Sequence, residues 1–181
     1  MSAAHYAKLW DDYWSDTDAT GQVFWDSRPE VGVEDDLRRF GAHLDRGLPI
    51  VDLGCGHGTQ TRALARQFSR VVGVDVSAAG LAIARAGEPL PGLEFVVLDL
   101  LDPAAAAALQ GGIGDANVYV RAVFHQLDEA ARVQAVAGLR ACSAAWAPRP
   151  SSCARTSTSR GPSSGSAPGR RRSRTRSGAC S

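Results

Sequence analysis

The sequence predicts an α/β fold: a parallel sheet with helices packed on both of its faces. Three observations carry that expectation. Between Pro49 and Cys142, four short apolar runs alternate with segments of helical pattern. The runs at 50–53 and 70–76 are almost continuously apolar, as strands covered on both sides should be. All 38 Leu, Ile, Val and Phe residues fall within positions 1–142, so the material for a core coincides with the alternating region.

Each element has a local reason. Within residues 4–15, Tyr6, Leu9, Trp10, Tyr13 and Trp14 recur at i, i+3, i+4, i+7 and i+8, a single aromatic stripe on a helix. Such a stripe either packs on the main core or caps a ligand pocket, where aromatics exclude water. A loop with Thr20-Gly21 and Arg28-Pro29 leads to a second helix near 33–44, carrying Leu37, Phe40 and Leu44. The first strand, 50–53, ends in glycines and is followed by a helix over 61–68. The second strand, 70–76, precedes Ser77, a good N-cap for a helix to about Ala86. Pro91-Gly92 marks a turn before a third strand at 94–100. Asp102-Pro103 opens an alanine-rich helix to about Gln110, because proline suits the first helical position. A fourth strand is expected at 116–120. Asp128 then caps a helix through Cys142, with Ala131, Val133, Val136 and Leu139 as its apolar side.

The formal net charge of +1 joins two unlike parts. Residues 1–142 hold 12 basic and 19 acidic side chains, whereas residues 143–181 hold eight Arg and no acid. The last segment also has eleven Ser and no Leu, Ile, Val or Phe, so burial cannot offset its ordering entropy. The expected organisation is a helical cap at 1–45, an α/β domain at 46–142 and a disordered tail at 143–181. Its composition is that of GC-rich coding DNA read out of frame; alternatively, its arginine run at 170–174 could meet nucleic acid, the one hint of such a partner. No apolar run reaches the roughly 20 residues of a membrane span, and no basic-then-apolar leader opens the chain. Four cysteines without a CxxC pair fit a reduced, cytoplasmic setting. The scattered His and Cys offer no metal-ligand spacing.

The chemistry concentrates at Val51-Asp52-Leu53-Gly54-Cys55-Gly56-His57-Gly58-Thr59. A strand ending in glycines lets backbone N–H groups approach a ligand above the sheet edge. A dinucleotide fingerprint would need Gly where Thr59 stands, which disfavours a nicotinamide-dependent oxidoreductase. A phosphate loop would need a lysine, and none follows Lys8. Two more acids close the next strands, Asp75 and Asp99, at the edge where open parallel sheets bind ligands. Carboxylates there repel phosphate and suit hydroxyls, amines or cations. Asp75 can accept both hydroxyls of a ribose and Asp99 can accept from an exocyclic amine. Competing local roles are loop ordering for Asp52 and Asp99, and helix capping for Asp75.

With these residues in place, the sequence resembles the class I S-adenosylmethionine-dependent methyltransferases over about residues 45–142. Residues 51–58 are similar to their first motif, 72–77 to the strand bearing the ribose acid, 95–102 to the adenine turn and 117–127 to the fourth strand. The resemblance implies a Rossmann-like fold that binds S-adenosyl-L-methionine and transfers its methyl group to a small-molecule acceptor. By position, Gly54, Gly56 and Gly58 would flank the methionine portion, with Asp52 near the amino group. Asp75 with Val76 would hold ribose, and Asp99 with Leu100 the adenine. His125 is a candidate general base, though a packing or substrate-contact role is the favoured reading. Tyr13, Trp14 and Arg121 are candidate substrate contacts. The resemblance also implies seven strands, of which the last three have no counterpart after Cys142. That leaves a second expectation, a non-catalytic cofactor-binding or interaction protein.

Overall fold

The computed structural model describes residues 2–17, 28 and 31–142. The expected tail at 143–181 and most of the loop joining the first two helices lie outside the described residues. Four strands, β1 (Ile50–Leu53), β2 (Val71–Asp75), β3 (Leu93–Val97) and β4 (Asn117–Val120), form one parallel sheet in the order β3-β2-β1-β4. The register sets Leu53 beside both Val74 and Val120, and Asp75 beside Val97. All four carboxyl ends therefore open on one edge.

The expected alternation of strand and helix is present. Six helices are described: α1 (Ala3–Ser15), α2 (Val33–Phe40), α3 (Thr59–Ala65), α4 (Ala78–Ala86), α5 (Pro103–Ile113) and α6 (Glu129–Cys142). Their starts have local causes. The Ser77 hydroxyl accepts from Gly80 N, Asp102 accepts from Ala104 N and Ala105 N, and Asp128 accepts from Ala131 N. The second helix gives way to a short 3-10 turn, Gly41–His43, earlier than its periodicity implied. The third strand stops at Val97, which puts Asp99 in the following loop rather than at the strand's end.

Two apolar layers sandwich the sheet. On one face Ile50, Val71 and Tyr119 meet Val33 and Leu37 of α2 and Ala63 and Leu64 of α3. On the other, Val51, Leu53, Val72 and Val74 meet Ala106 of α5 and Cys142 of α6. Each such aliphatic side chain contributes roughly 1.5–3 kcal/mol when fully buried. The two central strands are buried at every position, which explains why they are apolar except at Asp52 and Asp75.

Two faces differ from expectation. On α6 the buried side is Ala131, Ala135, Gly138 and Cys142, while Val133 and Val136 are 70% and 39% exposed. Close approach is the reason: a Cβ on Gly138 would lie 2.1 Å from the Leu100 carbonyl oxygen, so small residues face inward. On α1 only Tyr6 and Trp14 of the five-residue stripe are buried, and Leu9 is 49% exposed. Between Tyr6 and Trp14 the face is only partly covered. No described helix is long and apolar enough to cross a membrane, and the described residues contain no cluster of three potential metal ligands.

Candidate functional site

A cavity of about 550 Å³ opens at the carboxyl edge of the sheet. Its floor is the first loop, with Gly54 and Gly56, and the ends of β2 and β3, with Asp75, Val76, Asp99 and Leu100. Its roof is one face of α1, where Tyr6, Trp10 and Trp14 follow at i, i+4 and i+8. The segment after β4 closes the side with Arg121, Ala122, Val123 and His125. A smaller cavity of about 110 Å³ lies across the same loop, lined by Asp52, Cys55, His57, Thr59, Tyr119 and Arg121 among others.

The first loop needs its glycines for two physical reasons. Gly54 and Gly56 have φ of 76° and 53°, where side chains are disfavoured. A Cβ on Gly54 would sit 2.3 Å from Val123 Cγ2, and one on Gly56 would sit 2.6 Å from Trp14. Gly58 instead caps α3 at the far side of the loop and lines neither cavity. Behind the loop, the Arg62 guanidinium donates to the carbonyls of His57 and Gly58 and, by a short bond, to that of Ala84.

Asp75 is buried beside the loop and its two oxygens are aimed by the backbone. Oδ2 accepts from Gly56 N at 2.8 Å and Oδ1 from Ser77 N at 2.9 Å. A carboxylate offers about four acceptor sites, so acceptor capacity remains for a ligand hydroxyl beside these backbone donors. Burial pushes its pKa upward, and the backbone donors pull it back. Asp52 is wholly buried and its Oδ2 accepts from the Thr61 hydroxyl at 2.6 Å. Burial, with Asp75 nearby, pushes this carboxyl up to about 7, well above its ordinary 3.8. Asp99 Oδ1 accepts from Leu101 N at 2.8 Å, which fixes its carboxylate at the cavity margin.

The other sequence candidates separate. Trp14 is buried at the junction of both cavities, with its ring 5.2 Å from that of His57. Arg121 also borders both, and its Nε lies 3.7 Å from Asp36, whose other partner is the Tyr119 hydroxyl at 2.8 Å. His125 lines the larger cavity, with Nε2 2.7 Å from the Gln126 side-chain nitrogen. Tyr13 lines neither cavity: it packs edge-on against Trp10 and Trp14, on the outer flank of the roof, and Tyr6 and Trp10 take the place it was expected to fill. Sequence reasoning missed Ala122, a non-glycine residue at φ 61°, and Val123, which seals Gly54. Nothing in the sequence around them signals either role.

Known proteins give the same picture. A family model described as a methyltransferase domain matches residues 50–144. The chain is 42% identical over 83 residues to a trans-aconitate 2-methyltransferase of Acidovorax sp. (strain JS42), covering 40% of this chain and 31% of the relative. It is 43% identical over 83 residues to a 2-phytyl-1,4-naphtoquinone methyltransferase of Thermosynechococcus vestitus, covering 41% and 37%. The chain thus spans about a third of the length of these curated relatives. A crystal structure of a SAM-dependent methyltransferase from Anabaena variabilis superposes with a TM-score of 0.73 at 37% identity, covering 77% of this chain and 58% of that one. A parallel 3-2-1-4 sheet, a glycine loop after the first strand and an acid closing the second thus coincide with a family match over half of the sequence: the chain belongs to the class I S-adenosylmethionine-dependent methyltransferases.

Proposed function

We propose that this chain binds S-adenosylmethionine in the larger cavity and transfers its methyl group to a small carboxylate-bearing acceptor. The observation that carries the binding is Asp75, held by Gly56 N and Ser77 N where it lines the cavity floor. The residues fit the cofactor. The cavity volume of about 550 Å³ suits a nucleoside-sized ligand, and the side-chain-free surfaces of Gly54 and Gly56 allow close backbone approach. Asp75 with Val76 would hold the ribose, Asp99 with Leu100 the adenine, and Gly54 and Gly56 the methionine end, with Asp52, buried at the smaller cavity, and Gly58 shaping the loop from behind. When bound, the sulfonium supplies an electrophilic methyl group.

The chain's own residues then orient and desolvate. Tyr6, Trp10 and Trp14 keep water from the cavity. Arg121 offers a guanidinium to an anionic acceptor, a reading supported by the names of the trans-aconitate 2-methyltransferases it resembles. A carboxylate acceptor is already deprotonated near neutral pH, so His125 is needed as a contact rather than as a base. Two free thiols, Cys55 and Cys142, support a cytoplasmic setting.

Release of S-adenosylhomocysteine from S-adenosylmethionine, measured with mono-, di- and tricarboxylates, tests this reading. Turnover with a carboxylate whose KM rises on Arg121→Gln is the expected outcome. No turnover with any of them, alongside intact cofactor binding, favours the second reading, a binding protein without turnover. That reading is supported by a described sheet of four strands.

A further inference from the structure

A continuous chain of hydrogen bonds joins the roof of the cavity to its floor. Asp11 of α1 accepts with Oδ1 from the Ser77 hydroxyl at 2.9 Å and from Ala79 N at 2.9 Å. Ser77 N donates to Asp75, and Asp75 in turn receives Gly56 N. Ser77 is fully buried, and its hydroxyl oxygen already accepts from Gly80 N, so α4 has its own N-cap. Asp11 is therefore a second cap supplied from 66 residues away, and what it adds is the seating of α1. Hydrogen bonds from Ala79 N and the Ser77 hydroxyl also hold the Asp11 carboxyl below its ordinary pKa.

Three residues after Asp11, Trp14 fills the space between the loop and α4. A Cβ on Gly56 would stand 2.6 Å from its ring and one on Gly80 2.9 Å from it. At the other end of the helix the Tyr6 hydroxyl accepts from Asp128 N at 2.9 Å. The roof is thus pinned at two points, on α4 through Asp11 and at the start of α6 through Tyr6. A ligand that reaches Asp75 shares its cavity with Tyr6, Trp10 and Trp14.

We propose that Asp11 is a positioning residue, a latch that seats α1 on α4 and couples closure of the roof to occupancy of Asp75 through Ser77. The proposal rests on the cofactor reading above for the identity of the ligand. Occupancy of Asp75 steadies Ser77, and Ser77 steadies Asp11. Release of Asp11 frees Trp14 from the loop and opens a route out of the cavity. Because the latch acts through an acceptor oxygen, asparagine in its place keeps most of the effect and alanine removes it.

The test uses the full chain as wild type, Asp11→Ala and Asp11→Asn. S-adenosylhomocysteine is displaced by excess S-adenosylmethionine, and tryptophan fluorescence follows its dissociation. Asp11→Ala should speed dissociation on the order of tenfold, and Asp11→Asn by no more than about twofold. Unchanged dissociation in Asp11→Ala, or equal acceleration in both variants, overturns the latch. Amide exchange over residues 6–15 of the unliganded protein gives a readout independent of the ligand. It should be at least about tenfold faster in Asp11→Ala than in wild type or Asp11→Asn, and equal rates overturn the proposal. If the wild type binds no S-adenosylhomocysteine, the cofactor reading fails while the exchange measurement still decides the latch.

Discussion

The loop after β1 and the segment after β4 border the same cavity and solve opposite problems. The first lines the cavity with bare backbone, and it turns through left-handed conformations at Gly54 and Gly56, where glycine carries no steric cost. The second meets the cavity with side chains, Arg121, Val123 and His125, and it turns through Ala122 at φ 61°. A left-handed alanine costs about 1–2 kcal/mol, a strain the surrounding structure must hold. The two interlock where Val123 covers Gly54. A backbone cradle needs side chains to be absent, whereas a side-chain wall can tolerate strain to aim what it carries.

Breaking the interlock should have the largest effect. In Gly54→Ala the new Cβ meets Val123 Cγ2 at 2.3 Å on a left-handed backbone. The expected loss is about 2–4 kcal/mol in urea denaturation, from overpacking and backbone strain together. Adding Val123→Ala should restore part of that loss; additive effects would mean that the two segments do not touch as described.

The next effect separates the buried carboxyls from the rest of the site. The folded pKa of Asp52 is raised to about 7 from 3.8, so folding favours its protonated form. Its contribution to stability is present below about pH 4 and is lost as pH rises through 7; Asp75 is shifted in the same direction. The loss is on the order of 3 kcal/mol across that window. Asp52→Asn, which keeps an oxygen to accept from Thr61, should match wild type near pH 4 and exceed it near pH 8. Parallel stability curves for the two proteins would contradict the buried, perturbed carboxyl.

Ala122→Gly relieves the left-handed strain but adds freedom to the unfolded chain, for a net gain of about 0.5 kcal/mol. The same substitution at an ordinary helical alanine such as Ala82 should lose about 1 kcal/mol. Thermal melts of the two variants should therefore move in opposite directions, and a shared direction would remove the strain assigned to Ala122.

The two segments also differ in how far the sequence revealed them. The glycine loop, Asp75, Ser77 and the four strands were legible because their causes are local: apolar runs, caps and glycines at fixed spacing. Asp99 was legible as an acid near the edge, but it was expected to close the third strand, which stops two residues before it and leaves it in the loop. The Ala122 turn was not legible, since alanine carries no mark of positive φ. On α6 Ala131 is buried as expected, but Val133 and Val136 were misjudged: Gly138 sits tight on Leu100, and Ala131 and Ala135 pack with Tyr6 and Leu127, so small residues take the inner face. Tyr13 was misplaced for a related reason: periodicity gives the face of a helix but not which part of that face another element covers. Tertiary proximity decided both, and it reached the sequence only as small residues that hydrophobicity overlooks.

On the proposed function, Asp75, held by Gly56 and Ser77 on the cavity floor, binds the ribose of the cofactor. Calorimetric titration of the wild type and Asp75→Ala with S-adenosylhomocysteine tests it most directly. Micromolar binding to the wild type, weakened at least about a hundredfold in a variant that remains folded, is the predicted result. Equal affinity in the two proteins, or no binding by a folded wild type, would contradict it.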